Sequence, residues 1–171
     1  EVLTDATAEI GILLILGACR RASEGIESAK ASNWKWSADY LIGKQLTGTR
    51  LGILGMGRIG KKIAKVARSL GMIVHYHNRS KLGQDKEEGA IYHKDLKSLL
   101  SISDVLSICC PASKETVNLI NNETLEYLPK WRLCSRRWTA ARPAMVCDGT
   151  SYSRRAWSWT SAWRNRVRWE A

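Results

Sequence analysis

Three glycines in the stretch Gly55-Met56-Gly57-Arg58-Ile59-Gly60 have the spacing Gly-x-Gly-x-x-Gly. The chemistry this spacing serves is contact between backbone amides and a pyrophosphate. The first glycine permits a tight turn, the second lets the backbone approach the phosphates, and the third lets a helix pack closely on a strand. A helix that starts at such a turn adds unpaired N–H groups and the positive end of its dipole. The spacing acquires meaning only between a strand and a helix. Here Arg50-Leu51-Gly52-Ile53-Leu54 precedes it as a short apolar strand. Ile59, Ile63, Val66, Ala67 and Leu70 follow at helical spacing, and Gly71 is placed to end that helix.

The end of the next strand, Met72 to His77, should distinguish one dinucleotide from another. An acid there accepts hydrogen bonds from the adenine ribose hydroxyls of NAD. This chain has Asn78, then Arg79, Ser80 and Lys81. A neutral Asn78 removes repulsion of a 2′-phosphate, Arg79 and Lys81 can attract one, and Ser80 can donate to it. The expected cofactor is NADP or NAD, with NADP favoured. The competing reading of Arg79 and Lys81 is an ordinary solvated loop.

These residues need a scaffold. Residues 5–31 read as one long helix, capped by Asp5 or Thr7, with Ile10, Leu13, Leu14, Gly17 and Ala18 buried along most of its first half. Residues 33–48 read as a loop. Ala90 to Tyr92 is a candidate short strand, Asp95 to Leu100 a short helix, and Val105 to Cys110 a buried strand stopped by Pro111. Asn122 to Leu128 reads as a capped helical turn. Strands alternating with helices define an α/β fold, a Rossmann-type doubly wound parallel sheet.

Other chemistries find little support. Five Cys at irregular spacing include no Cys-x-x-Cys pair, which points away from a disulfide framework and towards a reducing, cytoplasmic setting. Three His show no metal-ligand spacing, so no metal is expected. The run from Ile10 to Cys19 is about half the ~20 residues that cross a bilayer, and no basic leader precedes it, so neither membrane span nor signal peptide is expected.

The net charge of +11 would suggest a polyanion partner, but it is unevenly distributed. Residues 1–130 carry +4 and residues 131–171 carry +7, all of the latter's basic residues being Arg. Residues 1–130 contain 13 Ile and two Trp, whereas 131–171 contain no Ile, one Leu and six Trp. The last stretch thus lacks the recurring aliphatics of a core. An Arg- and Trp-rich segment could grip single-stranded nucleic acid, but without periodicity or module its composition is that of disorder, and no nucleic-acid partner is expected.

Thr4-Asp5-Ala6-Thr7-Ala8-Glu9, the glycine stretch from Leu51 to Gly60, and Cys110-Pro111 with Lys114-Glu115-Thr116 together resemble the D-isomer-specific 2-hydroxyacid dehydrogenases. Within them the likeness is to the glyoxylate and hydroxypyruvate reductase branch, and it covers nearly all of residues 1–130. The resemblance implies a two-domain subunit whose nucleotide domain is inserted into a substrate domain and forms a homodimer interface. It implies residues 1–31 as the linking helix and 32–130 as an incomplete dinucleotide domain. Arg58 and Ile59 would lie on the pyrophosphate and Asn78 at the adenine ribose. Cys110 and Pro111 would line the cofactor cleft, and Thr7 would reach the cofactor from the linking helix. The implied activity is hydride transfer between the nicotinamide cofactor and a small 2-oxo or 2-hydroxy acid.

The family's catalytic Arg, Glu and His have no counterpart here. The Arg belongs to an Asn-x-x-Arg-Gly stretch after a Val-rich strand that should follow Pro129-Lys130, where the chain reads Trp131-Arg132-Leu133-Cys134-Ser135-Arg136-Arg137-Trp138. Arg142 is assigned no catalytic role, and no His follows His93. The chain therefore reads as a fragment, inactive by itself and without the substrate domain. Residues 131–171 read as an out-of-frame stretch that leaves the sheet one strand short; a neighbouring frame would then encode the Val-rich strand. A cofactor-binding regulatory domain without catalysis is the alternative function, since fold alone does not separate the two.

Overall fold

The computed structural model describes residues 3–31, 37–128, 133–136 and 146–148. The elements in chain order are α1 (Leu3–Cys19), α2 (Ala22–Lys30), β1 (Arg50–Leu54), α3 (Arg58–Ser69), β2 (Ile73–His77), α4 (Gln84–Glu87), β3 (Ile91–Tyr92), α5 (Leu96–Ile102), β4 (Val105–Ile108), α6 (Asn122–Leu125), β5 (Leu133–Arg136) and β6 (Val146–Asp148). They form one six-stranded sheet in the order β3-β2-β1-β4-β5-β6. The first five strands pair in parallel and β6 pairs antiparallel with β5. This is the Rossmann strand order, which reverses direction between β1 and β4.

Both faces of the sheet are covered, so its central strands are apolar on both sides. Leu51, Ile53, Val74 and Val105 point into a core with α1 and α3, through Ile15, Ile63 and Ala67. Leu54, Leu106 and Ile108 point the other way, against Leu99 and Leu100 of α5. Gly71 ends α3 with φ 77°, a left-handed conformation that glycine adopts without steric cost. Asp95 caps α5 by accepting the Ser98 N–H at 2.7 Å, and Asn121 with Thr124 forms a capping box on α6.

The end of the sheet away from the glycine turn is tied by Asp104. Its carboxylate accepts the Arg50 backbone N–H at 2.9 Å and the Arg50 Nε–H at 3.0 Å, and Lys44 Nζ lies 3.3 Å away. These bonds hold the start of β1 against the start of β4.

Three expectations from the sequence are corrected. The helix expected over residues 5–31 is two helices, broken at Arg20-Arg21, with Arg21 left-handed at φ 52°. The cause lies in the loop that follows. In a continuous helix the Cys19 carbonyl would accept from Ser23; here it accepts the Lys44 N–H at 2.7 Å. Gly43 makes that approach possible, since a Cβ there would stand 2.3 Å from the Cys19 oxygen. Burial of α1 is also narrower than its composition suggests. Ala8, Ile15 and Cys19 are buried, while Leu3, Ile10 and Leu13 are exposed, because α1 packs against α3 and the sheet and leaves its remaining side to solvent.

The sheet does not stop at β4. Leu133–Arg136 pairs with β4 in parallel register, Val105 opposite Leu133 and Ile108 opposite Arg136. A ladder is made by backbone groups, which any extended residues supply, so a stretch poor in aliphatics can still occupy the strand position. The rest of the expected seam, residues 129–132 and most of the Arg- and Trp-rich stretch, lies outside the described residues.

All three histidines line the β2–β3 edge. A ring N–H bridges His75 Nδ1 and His93 Nε2 at 3.0 Å, His93 Nδ1 meets the Ser98 hydroxyl at 2.7 Å, and His77 Nδ1–H donates to the His93 carbonyl at 2.9 Å. Burial, with the neighbouring His93 and Arg50 charges, lowers the pKa of His75 against an opposing pull from Asp104; burial also lowers that of His93. Both rings are therefore held neutral in the fold. Their contribution to stability is present above the unfolded-state value of about 6.5 and is lost as pH falls through and below it. Urea denaturation midpoints should be flat well above about pH 6.5 and decline as the pH falls below about 6.5, with a shallower decline in His93→Gln. A midpoint that rises on acidification over that window would contradict this assignment.

Candidate functional site

The carboxyl ends of β1 and β4 meet where the strand order reverses, the position at which doubly wound sheets bind ligands. Gly55, directly after β1, has φ 97° and donates its N–H to the His77 carbonyl at 3.0 Å. A Cβ on Gly55 would stand 2.6 Å from the Cys110 nitrogen and 2.8 Å from its Cα. Thus the turn after β1 and the segment after β4 touch through backbone. Only glycine fits, for both conformation and space.

The three glycines have three different surroundings. Gly60 faces inward, where a Cβ would sit 2.5 Å from the Gly55 carbonyl oxygen and 3.2 Å from Ile53 Cγ2. Gly57 faces outward: a Cβ there meets nothing within 4 Å. Gly57 is also the N-cap of α3, in an extended conformation, and provides no side-chain cap. The first N–H groups of α3 have no intrahelical acceptor. No acidic residue stands in its first turn, where Arg58 and Lys61 do. Cations there oppose the helix dipole, a local cost that suits a site for an anion.

Asn78 is not a bystander after β2. Its Oδ1 accepts the Met56 N–H at 2.7 Å, which locks the glycine turn to the end of β2 and leaves the Nδ2 donors for other partners. Met56 is buried beneath the turn. Arg58 also borders a groove of about 550 Å³ between α1 and α3, lined by Thr4, Asp5, Lys61, Lys62, Lys65 and Glu88. Lys62 pairs there with Asp5 at 2.9 Å.

The remaining candidates lie around the turn to different degrees. Arg79 and Ser80 are exposed, and Arg79 Nη1 donates to Glu115 Oε2 at 3.4 Å. Lys81 lies 3.8 Å from Glu87, whose other oxygen accepts the Tyr76 hydroxyl at 2.6 Å. Burial and that carboxylate push the Tyr76 pKa up to about 12. Cys110 is half-buried beside Gly55, and Pro111 is exposed. Thr7 is half-buried on α1, where its hydroxyl donates back to the Leu3 carbonyl at 2.5 Å.

Sequence reasoning quoted Glu115 and Thr116 only as part of the family likeness, with no role at the site, and missed the pair Tyr76 and Glu87. Thr116 Oγ1 accepts the Ser113 N–H and donates to the Pro111 carbonyl, both at 2.7 Å, which curls the loop after β4. The Ser-x-x-Thr spacing is a local turn signal for it. Nothing local signals the Glu115 contact, which joins residues from two different loops.

A model of the D-isomer specific 2-hydroxyacid dehydrogenase NAD binding domain matches residues 12–132. The chain belongs to that family, and this stretch is its NAD-binding domain. A glyoxylate reductase of Aeropyrum pernix is 42% identical over 135 residues, covering 75% of this chain and 40% of that protein. A glycerate dehydrogenase of Hyphomicrobium methylovorum is 37% identical over 131 residues, covering 75% and 41%. The structure of a glyoxylate reductase from Paecilomyes thermophila superposes with a TM-score of 0.72 at 35% identity, covering 78% of this chain and 40% of that one. The chain therefore spans about 40% of the length of the curated relatives it matches. Among the described residues, no helix is long and apolar enough to cross a membrane.

The surroundings of the glycines separate structure from binding. Gly60→Ala places a methyl group against a backbone oxygen and should cost about 1–3 kcal/mol. Gly57→Ala enters open space from an ordinary backbone conformation and should change stability by less than about 0.5 kcal/mol. Thermal or urea unfolding of the two variants checks this. Equal losses would show that Gly57 is packed rather than open.

Proposed function

We propose that the turn Gly55–Gly60 holds the pyrophosphate of a nicotinamide dinucleotide for an oxidoreductase acting on a small 2-oxo or 2-hydroxy acid of the glyoxylate or hydroxypyruvate type. The observation that carries this reading is the open face of Gly57 at the uncapped start of α3. In it the N–H groups of Gly57, Arg58 and Ile59 donate to phosphate oxygens, with the α3 dipole and the Arg58 charge behind them. Gly55 and Gly60 keep turn, strand and helix close enough for that. Cys110 and Pro111 form the wall at the end of β4, and Thr7 stands on the helix side. When bound, the cofactor supplies the hydride donor or acceptor; the chain's own part is to fix its position.

The proposed cofactor is NADP in preference to NAD. Asn78 has committed its oxygen to Met56, so it offers the adenine ribose donors rather than the acceptors an Asp offers. Arg79, Ser80 and Lys81 follow at the same edge. Because no residue here matches the family's catalytic Arg, Glu and His, the chain by itself is proposed to bind without turnover. Losing such groups costs orders of magnitude in rate.

Calorimetric titration of the 171-residue chain should show NADP+ binding, weakened at least about tenfold by Gly57→Val, the equivalent of about 1.4 kcal/mol. Asn78→Asp should move the preference towards NAD+. Hydroxypyruvate reduction should be undetectable. Unchanged affinity in Gly57→Val contradicts the assigned site, and measurable turnover contradicts the inactive reading.

A further inference from the structure

The two cations after β2 are held very differently. Lys81 faces Glu87, whose carboxylate is only 13% exposed and is fixed by the Tyr76 hydroxyl. Tyr76 is fully buried and its oxygen also accepts the Leu82 N–H at 3.1 Å. Lys81 thus lies near a carboxylate that is itself anchored to a core tyrosine. Arg79 is 92% exposed, and its partner Glu115 is 74% exposed at a separation of 3.4 Å. An exposed pair of this kind is weak and salt-screened, so its guanidinium redirects at little cost.

The placement of that pair matters more than its strength. β2 and β4 flank β1 on opposite sides. Arg79 follows β2 and Glu115 follows β4, so the pair joins the two lips of the cleft across the end of β1, where the glycine turn lies. Glu115 does not drift there freely: it sits in the loop curled by Thr116 through the Ser113 and Pro111 bonds.

We infer that Glu115 is a specificity-determining residue, a carboxylate that occupies Arg79 in the position a 2′-phosphate would otherwise take. This rests on the reading of the glycine turn as an NADP site. A phosphate dianion offers the guanidinium more charge and a bidentate fit, so it displaces the carboxylate. NAD, whose 2′-hydroxyl is neutral, leaves the pair intact. Glu115 therefore lowers affinity for the phosphorylated cofactor selectively, and the balance between Arg79 and Glu115 sets the ratio of the two affinities.

The test is a double-mutant cycle read as the ratio of NAD+ to NADP+ dissociation constants for the 171-residue chain. Both side chains are exposed, so neither substitution threatens folding. Glu115→Gln should raise the preference for NADP+ about two- to fivefold, the range exposed ion pairs support. Arg79→Gln should lower it. In the Arg79→Gln background, Glu115→Gln should shift the ratio by less than about half as much, since the two act through one contact. An unchanged ratio in Glu115→Gln overturns the inference, and so does an equal shift in both backgrounds. If the unaltered chain prefers NAD+ and Arg79→Gln does not alter the ratio, the NADP reading itself fails and this inference with it. If Arg79→Gln lowers the preference while Glu115→Gln is silent, only the role of Glu115 falls.

Discussion

The backbone contact between Gly55 and the Cys109–Cys110 segment is the constraint on which the site depends. A single added carbon at Gly55 would lie 2.6–3.0 Å from three backbone atoms there. That closeness lets the chain turn sharply out of β1 without colliding with the end of β4. It brings α3 in over the sheet at the place where the strand order reverses. Gly60 is the same constraint seen from the helix side, because the atom it must clear is the Gly55 carbonyl oxygen. Were either residue larger, α3 would start further from the sheet, and its unpaired N–H groups would no longer face the cleft.

Two further ties hold the sheet, one at each end. Asn78 joins it to β2 through Met56, while Asp104 binds the far ends of β1 and β4 through Arg50 and Lys44. The sheet is thus fixed at its base by charge-assisted bonds and at its glycine-turn end by backbone packing. The edges are looser. On the two lips Arg79 and Glu115 make only an exposed contact at 3.4 Å. Cofactor selection in this account is a local contest among exposed charges, carried out on a rigid floor.

Much of this was legible in the sequence because it is local. The glycine spacing, the continuous apolar strands and Gly71 each encode a nearby conformation, and the structure has them within a residue or two of the expected bounds. The helices near Asp95 and Asn122 were legible too, although the capped turn expected over Asn122 to Leu128 ends at Leu125 and takes its cap from Asn121. What was illegible depends on contacts distant in sequence. Nothing in residues 5–31 announces the break at Arg21, because its cause is Gly43 and Lys44 arriving at the Cys19 carbonyl. The composition of α1 implied burial along most of its first half, whereas α3 and the sheet cover it from one side only. Asn78 was read as a neutral residue facing a ribose, whereas its oxygen also closes the turn, and Glu115 pairs with a residue 36 positions away. The compositional break at Lys130 falls two residues before the family match ends at residue 132, yet backbone pairing extends past it into β5.

The central claim is that phosphate meets backbone at the start of α3. Backbone amide shifts in the 15N-labelled chain, followed during titration with NADP+, test it most directly. The account predicts the largest shifts at Gly57, Arg58 and Ile59, a smaller response at the Asn78 side-chain amide, and little change at the Asp104 end of the sheet. Saturable binding that leaves the amides of Gly57, Arg58 and Ile59 unmoved while shifting residues elsewhere would contradict it.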